Sequence, residues 1–155
     1  MTDQTPTDIT GQFDFWVGEW VCTGKSRVAP GKDEWIDTKA TNSITKTLGG
    51  KVVEENFSMN SFIGQSHTVY DQARKIWRQT WVDNSGGYLV FEGGMDDARL
   101  ILIEVSKPTE TAPNVRQRMV FSDFKGDSFT WEWEGSSDGG KSWNLNWVLN
   151  YKRKK

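Results

Sequence analysis

The sequence is poor in cysteine, in histidine and in the residues that favour helices. It has one cysteine, Cys22, and one histidine, His67, in 155 residues, so it offers no internal disulfide and too few ligands for a zinc site. A Ser-His-Asp triad would have to use His67, and the sequence near it contains no nucleophile-elbow motif. Leucine and alanine number only 6 and 5, which argues against a helix bundle. We predict no metal and no disulfide.

A surplus of charge of either sign is also missing. Nineteen Lys and Arg against 21 Asp and Glu leave a net charge of −2, whereas nucleic-acid-binding domains are usually basic. We interpret the basic residues 152–155 as a solvated tail rather than a phosphate site. No apolar run approaches the roughly 18 residues of a membrane helix, and the first ten residues lack a signal-peptide pattern. The sequence therefore predicts a cytoplasmic protein that binds neither nucleic acid nor membrane.

Aromatic residues, valine, threonine and glycine are abundant. Nine Trp, 8 Phe and 3 Tyr, with 12 Val and 14 Thr, suit half-buried β-strands. Turn residues such as Pro30-Gly31 and Gly49-Gly50 divide the chain into short segments with no helical pattern between them. The predicted strands are residues 18–28, 35–47, 51–58, 66–72, 76–83, 87–94, 98–106, 115–124, 127–134 and 142–151.

Apolar and polar residues alternate within these segments. In 142–151 every second residue from Trp143 to Tyr151 is apolar, and 127–134 shows the same period of two. This pattern is typical of a sheet with one buried face. The sequence therefore predicts that the strand from Trp143 to Tyr151 turns one continuous face toward the core.

About ten short strands in a single domain favour a closed barrel. Closure removes the exposed edge strands that an open antiparallel sheet would leave. We predict an all-β fold, a single antiparallel lipocalin-like β-barrel of eight to ten strands covering residues 1–155. A short helical turn over Gln12–Trp16 is expected before the first strand, and residues 1–11 are expected to be flexible.

The segment from Ser136 to Trp143 matches the Asp-box pattern S-x-D-x-G-x-[ST]-W, known from sialidases and other β proteins. In this pattern the Asp138 carboxylate accepts backbone N–H groups, a glycine takes a positive φ, and the Trp143 ring packs under the hairpin. The motif predicts a structural hairpin and no catalysis.

The segment Phe13–Trp20 contains a G-x-W at the start of the first strand, and a basic residue, Arg153, follows the last strand. In this the chain resembles the lipocalin-like (calycin) barrels. The resemblance implies that Trp20 closes one end of the barrel and that Arg153 packs across it.

The resemblance extends through Val69-Tyr70-Asp71, the segment Trp77–Asp83 and the Asp-box hairpin, in that order. Together these motifs resemble the uncharacterised bacterial family DUF1579, over most of the chain. The family implies a lipocalin-like barrel and supplies no established catalytic residues. Heme-binding relatives with this barrel use a histidine near the chain's end, whereas His67 lies in mid-chain. We therefore expect no heme and no other cofactor.

The segment Trp77–Asp83 suggests a binding site. Trp77, Gln79 and Trp81 share one face of the predicted strand. If this face points inward, an amide that needs hydrogen-bond partners lies between two indoles. A few polar groups in an aromatic cavity are typical of a small-molecule site. The alternative is that the indoles fill the barrel and leave no cavity.

Other strands supply further candidates for an inward face. Polar ones are Glu55 and Gln117, each on an otherwise apolar face, whereas Arg116 and Arg118 on the opposite face are interpreted as surface charges. The complete predicted ligand-binding set is Glu55, Trp77, Gln79, Trp81, Gln117, Met119, Trp131, Trp133 and Trp147.

Three functions remain open at this point. The leading hypothesis is a barrel that binds a small, largely apolar or aromatic molecule, with Gln79, Gln117 and Glu55 orienting it. The second is an isomerase, cyclase or lyase that uses Glu55 or His67 as acid or base, which is an argument from fold. The third is an interaction module whose aromatic residues form a homodimer or partner interface. Binding without catalysis is favoured.

Overall fold

A computed structural model of the protein describes residues 9–105 and 110–155. Two short 3₁₀ turns, Ile9–Gly11 and Asp14–Trp16, precede ten strands. The strands are β1 (Gly18–Arg27), β2 (Trp35–Thr47), β3 (Val52–Met59), β4 (Phe62–Asp71), β5 (Ile76–Asp83), β6 (Tyr88–Asp96), β7 (Arg99–Glu104), β8 (Arg116–Ser122), β9 (Ser128–Ser136) and β10 (Asn144–Arg153).

Each strand pairs antiparallel with the next in the chain, and β10 pairs with β1 to close the barrel. In the closing pair, Cys22 lies opposite Tyr151 and Trp20 opposite Arg153. The predicted all-β fold, a closed antiparallel barrel, is therefore confirmed with ten strands. Among the strands that the structure describes, closure leaves no edge unpaired, so hydrogen bonding between neighbours runs around the whole sheet.

The predicted strand bounds lie within two residues of the observed ones except at the start of β4. β4 begins at Phe62 rather than at residue 66, because Gly64 stands within the strand and does not end it. A Cβ at Gly64 would lie 2.1 Å from the Trp81 ring. The glycine therefore belongs to the sheet, where it leaves room for an indole of the neighbouring strand.

β10 contains a bulge that reverses the face of its first residues. Leu145 pairs with Glu134, and two residues later Trp147 pairs with the inward-facing Trp133. Because directly paired residues share a face, Leu145 lies outside the barrel and Trp147 inside. The single continuous face predicted for 142–151 is therefore wrong before the bulge.

The last strand also extends further than the sequence indicated. Lys152 and Arg153 belong to β10, and the backbone N–H of Lys154 donates to the carbonyl of Glu19 at 2.9 Å. The interpretation of 152–155 as a solvated tail is thus corrected for its first residues. Of the segment 1–11, predicted to be flexible, residues 1–8 lie outside the described residues and residues 9–11 form a 3₁₀ turn.

The N-terminal segment Ile9–Trp16 covers one end of the barrel, which we call the closed end. Phe13 is fully buried, with its ring centroid 4.8 Å from that of Trp77 and 5.7 Å from that of Phe121. Edge-to-face contacts of this kind stabilise the packing beyond the area they bury. The helical turn predicted over Gln12–Trp16 is present in part, as the 3₁₀ turn Asp14–Trp16.

Trp20 and Arg153 complete the closed end. The Trp20 Nε1–H donates to the Trp16 carbonyl at 2.7 Å, and the Arg153 guanidinium carbon lies 4.3 Å from the Trp20 ring centroid. The same guanidinium donates to the carbonyls of Val17 and Phe15 at 2.8 and 3.0 Å. The packing that the motifs implied for these two residues is therefore present.

The Asp-box segment forms the turn between β9 and β10, as predicted. One oxygen of Asp138 accepts the backbone N–H groups of residues 141 and 142, both at 2.9 Å. Gly139 and Gly140 have φ values of 75° and 92°. The Ser142 hydroxyl, followed by these backbone groups, holds the pKa of Asp138 below its ordinary value because each donates to the ionised form.

Candidate functional site

A cavity of about 200 Å³ lies inside the barrel. A single ordered water needs only on the order of 10–15 Å³, so the space suits a small organic molecule. It is lined by Trp16, Glu55, Phe57, Phe62, Gln79, Trp81, Asp83, Leu89, Phe91, Met119, Phe121, Trp131, Trp133, Trp147, Leu149 and Tyr151.

The lining is aromatic, and its exposure increases along the barrel axis. Trp16 and Phe121, near the closed end, are 2% and 0% exposed. Phe62, Trp81 and Leu89, at the other end, are half-buried. The cavity therefore reaches solvent opposite the N-terminal segment, at what we call the open end.

Three indoles form one wall of the cavity. The Trp131 ring stacks on that of Trp133, with 6.3 Å between the ring centroids, and meets the Trp147 ring edge to face at a centroid distance of 5.1 Å. The Trp147 Nε1–H donates to the Thr38 hydroxyl at 3.1 Å, which holds this ring in place. These three residues were predicted from alternation on β9 and β10.

Trp81 and Asp83 lie together at the open end. The Trp81 Nε1–H donates to Asp83 Oδ2 at 2.8 Å, and the other carboxylate oxygen accepts from Ser85 and from the Gly87 N–H. The Ser85 hydroxyl and the Trp81 indole lower the pKa of Asp83 to about 2. Asp83 is therefore ionised at neutral pH and fixes the indole.

We expect Gly64→Ala to displace the Trp81 ring, because the new methyl group would lie 2.1 Å from it. The ring is half-buried and can swing toward solvent, so the expected loss of stability is about 1 kcal/mol, at the low end for overpacking. Tryptophan fluorescence should shift to longer wavelength. Gly94→Ala is the control, since a Cβ there meets nothing within 4 Å. An unchanged spectrum in Gly64→Ala would contradict the prediction.

A polar cluster lies in the wall of the cavity around Glu55. Its carboxylate accepts from the Ser66 hydroxyl at 2.6 Å and from Asn42 Nδ2 at 2.7 Å. Asn42 Nδ2 also donates to the Tyr151 hydroxyl at 3.0 Å. The neighbouring strands β2, β3 and β4 contribute Asn42, Glu55 and Ser66, and closure of the barrel brings Tyr151 of β10 beside them.

Burial dominates the acid–base properties of this cluster. Glu55 is 7% exposed, and desolvation raises its pKa, although the bonds from Ser66 and Asn42 oppose the shift. No ion pair to Glu55 occurs among the described residues. Burial likewise raises the pKa of Tyr151 and raises that of Cys22 to about 12.

Two side chains that line the cavity carry buried polar atoms without a partner. Gln79 is 1% exposed; its Nε2 donates to the Thr68 hydroxyl at 2.8 Å, whereas its Oε1 accepts no hydrogen bond. The Nε1–H of Trp16 is also unpaired. Unpaired buried polar atoms are costly and rare in folded proteins, so each has an unused capacity to bind a ligand atom.

The structure brings seven of the nine predicted site residues to the cavity: Glu55, Gln79, Trp81, Met119, Trp131, Trp133 and Trp147. Trp77 is not among them. It lies at the closed end, where its Nε1–H donates to Gln12 Oε1 at 3.0 Å and its ring contacts Phe13. It shares the inward face with Trp81, but β5 spans the barrel, and Trp77 lies below the cavity.

Gln117 is also absent from the cavity lining. It is half-buried and pairs with Gly135 near the end of β9, whereas Met119, two residues further along β8, lines the cavity. The prediction that Gln117 orients a ligand therefore has no support from its position. The alternation of apolar and polar residues identified the face of the strand on which Gln117 lies but could not indicate its position along the barrel axis.

The charged residues predicted on the outer surface lie there. The Arg118 guanidinium donates to Glu134 at 3.0 Å and lies 4.2 Å from the Trp143 ring centroid. His67 is exposed and lies 3.7 Å from Glu54. It follows Ser66 directly, so it points away from the cavity. His67 is therefore not placed to assist Glu55.

Sequence reasoning missed the partners that make Glu55 and Gln79 distinctive. Asn42, Ser66 and Thr68 stand in segments that show no unusual motif, and each becomes recognisable only through a neighbour on another strand. Tyr151 was placed on the apolar face of its strand, and that alternation was the available signal. Within residues 9–105 and 110–155, no group of three His, Cys, Asp or Glu side chains could hold a metal ion.

Comparison with known proteins adds no further constraint. No protein-family model matches the chain, and no curated protein matches it. The resemblance to DUF1579 and to the lipocalin-like barrels stays a prediction from the motifs. In the described part of the chain, no helix has the length and apolar character needed to cross a membrane.

Proposed function

We propose that the protein binds a small, largely apolar or aromatic molecule inside the barrel. The observation that carries this proposal is a cavity of about 200 Å³ with an aromatic lining, in which two of the lining residues, Gln79 and Trp16, each carry a buried polar atom without a partner. An apolar ligand would gain from leaving water, and a polar group on it would pair with Gln79 or Trp16. A DUF1579-type, lipocalin-like barrel in the cytoplasm is the setting that the sequence suggests for this activity.

Calorimetric titration with neutral probes tests the proposal. We expect 2-phenylethanol and 2-cyclohexylethanol to bind saturably, with a dissociation constant of about 1 mM or lower. Leu89→Trp would place an indole at the open end of the cavity and should abolish this heat. Tyr88→Trp is the matched control, because Tyr88 is the preceding residue and is exposed. Absence of saturable heat with both probes would contradict the proposal.

One observation favours acid–base catalysis as a second candidate. Glu55 lines the cavity and has a raised pKa, as a general acid or base near neutral pH requires. His67 points outward, and the pKa of Asp83 is lowered to about 2, so this hypothesis must use Glu55 with Tyr151 beside it. Retention of turnover in Glu55→Gln, once a substrate is known, would eliminate it.

The interaction module has less support. The large hydrophobic side chains that are exposed in the described residues include Ile36, Ile63 and Tyr88 but no tryptophan. The indoles that motivated this hypothesis lie inside the barrel or partly covered. A homodimer therefore stays a prediction without a defined interface.

A further inference from the structure

The cavity has an unbalanced charge. Its lining includes two carboxylates, Glu55 and Asp83, but within the described part of the chain no Lys or Arg lines it. Asp83 bonds to Trp81 and to its own turn at the open end. Glu55 lies deeper and has only the neutral donors Asn42 and Ser66. The interior therefore favours a cation over an anion.

The unpaired atom of Gln79 is an acceptor and adds to this preference. Thr68 occupies the amide nitrogen, which leaves Oε1 without a donor in the cavity wall. Ser66 and Thr68 lie two residues apart on the inward face of β4, with Glu55 and Gln79 on the strands to either side. The carboxylate and the amide oxygen thus belong to one region of the wall. Gln79 Oε1 has no donor, and the Glu55 carboxylate, which accepts from Ser66 and Asn42, has lone pairs left for a further donor.

The aromatic wall supplies the third element. The faces of indole rings attract cations, most strongly where water is excluded, and Trp81, Trp131, Trp133 and Trp147 all line the cavity. A protonated amine carries both the charge and two or three N–H donors. A neutral alcohol of the same shape has one donor and no charge.

We propose, building on the proposed function, that the ligand is an organic ammonium ion: a protonated primary or secondary amine on an apolar or aromatic body. The ammonium group bonds to Glu55 and Gln79 Oε1, and the body packs among the indoles. Trp16 Nε1–H is then available to a separate acceptor on the ligand.

Binding of an ammonium ion should depend on pH through Glu55. The titratable groups that face it are Tyr151 on β10 and Cys22 on β1, whereas β2 and β4 contribute the neutral Asn42 and Ser66. Glu55 must be ionised to pair with the ammonium. Affinity should therefore fall as the pH decreases through the raised pKa of this carboxyl group.

The test compares 2-phenylethylamine with 2-phenylethanol, which have the same carbon skeleton, by calorimetry on the full chain. We expect the amine to bind at least about tenfold more tightly than the alcohol. Glu55→Gln should remove this advantage, which is the ratio of the two dissociation constants measured on the same variant. Glu54→Gln is the matched control, because it removes the same charge from the adjacent residue on the outer face, and it should preserve the advantage.

The outcomes separate the two proposals. Equal affinity for amine and alcohol in the parent protein, or an amine advantage that survives Glu55→Gln, would overturn the ammonium assignment while the binding function stands. Failure of both compounds to bind would overturn both. Because the comparison of amine with alcohol is made first in the unmodified protein, it does not depend on the folding of any variant.

Discussion

Trp20→Ala is expected to lower the free energy of unfolding by about 3–5 kcal/mol, the range for large aromatic residues removed from a core. Trp20 is 1% exposed and packs on Phe129 and Tyr151, with centroids 5.0 and 5.9 Å apart. Its loss leaves a cavity at the closed end. It also removes the indole N–H that donates to the Trp16 carbonyl and the ring against which the Arg153 guanidinium packs.

Urea denaturation measures this loss, because the midpoint falls in proportion to stability when the slope is unchanged. Trp35→Ala is the matched control. Trp35 is half-buried at the start of β2 and lies under the guanidinium of Arg27 at 4.3 Å, so its removal should cost about 1 kcal/mol or less. Equal losses in the two variants would show that Trp20 has no special role in closing the barrel.

Glu55→Gln is expected to stabilise the protein at neutral pH, although it removes a hydrogen-bonded side chain. The pKa of Glu55 is raised from 4.5 by burial, so the folded protein binds its proton more tightly than the unfolded chain does. The stability contributed by this group is complete below the ordinary pKa. It is lost as the pH rises from the ordinary value through the raised one.

Gln does not titrate, so the difference in stability between Glu55→Gln and the parent should grow in favour of the variant as the pH rises. Using this difference cancels the effects of Asp83 and Asp138, whose lowered pKa values act at acid pH in both proteins. Urea unfolding at a series of pH values measures it. A parent protein that gains stability relative to Glu55→Gln as the pH rises would refute the expectation.

A buried carboxyl group whose ionised form is disfavoured by burial is informative about function. Proteins tolerate such costs at sites that bind or react. An ammonium ligand would convert the cost into an attraction, since it favours the ionised form that burial disfavours. The stability and binding measurements on Glu55→Gln therefore examine one electrostatic property from two directions.

The all-β barrel and most strand bounds could be predicted from the sequence, because alternation and turn residues act locally. The errors arose where contacts with a neighbouring strand determine the local structure. Taken by itself, Gly64 indicates the end of a strand, yet it belongs to β4 because the Trp81 ring occupies the space beside it. The bulge before Trp147 leaves no local signature, since Leu145 is as apolar as an inward residue.

The candidate site was predictable in the same limited sense. Period-two patterns show which residues share a face, and they placed Glu55, Gln79 and Trp81 correctly on the inner side. They do not show depth along the barrel, so Trp77 and Gln117 were included although they lie beyond the cavity lining. Nor do they reveal partners on other strands, such as Asn42 for Glu55.

The scarcity of leucine and alanine, together with regular alternation, determined an all-β barrel, because backbone periodicity and composition are properties of short segments. The tertiary structure decided whether the indoles fill the barrel or line it. Trp77 fills the closed end, whereas Trp81, Trp131, Trp133 and Trp147 surround a cavity beside Glu55. That distinction depends on distances across the barrel. Those distances are fixed by strands that lie far apart in the chain and come together only when β10 pairs with β1.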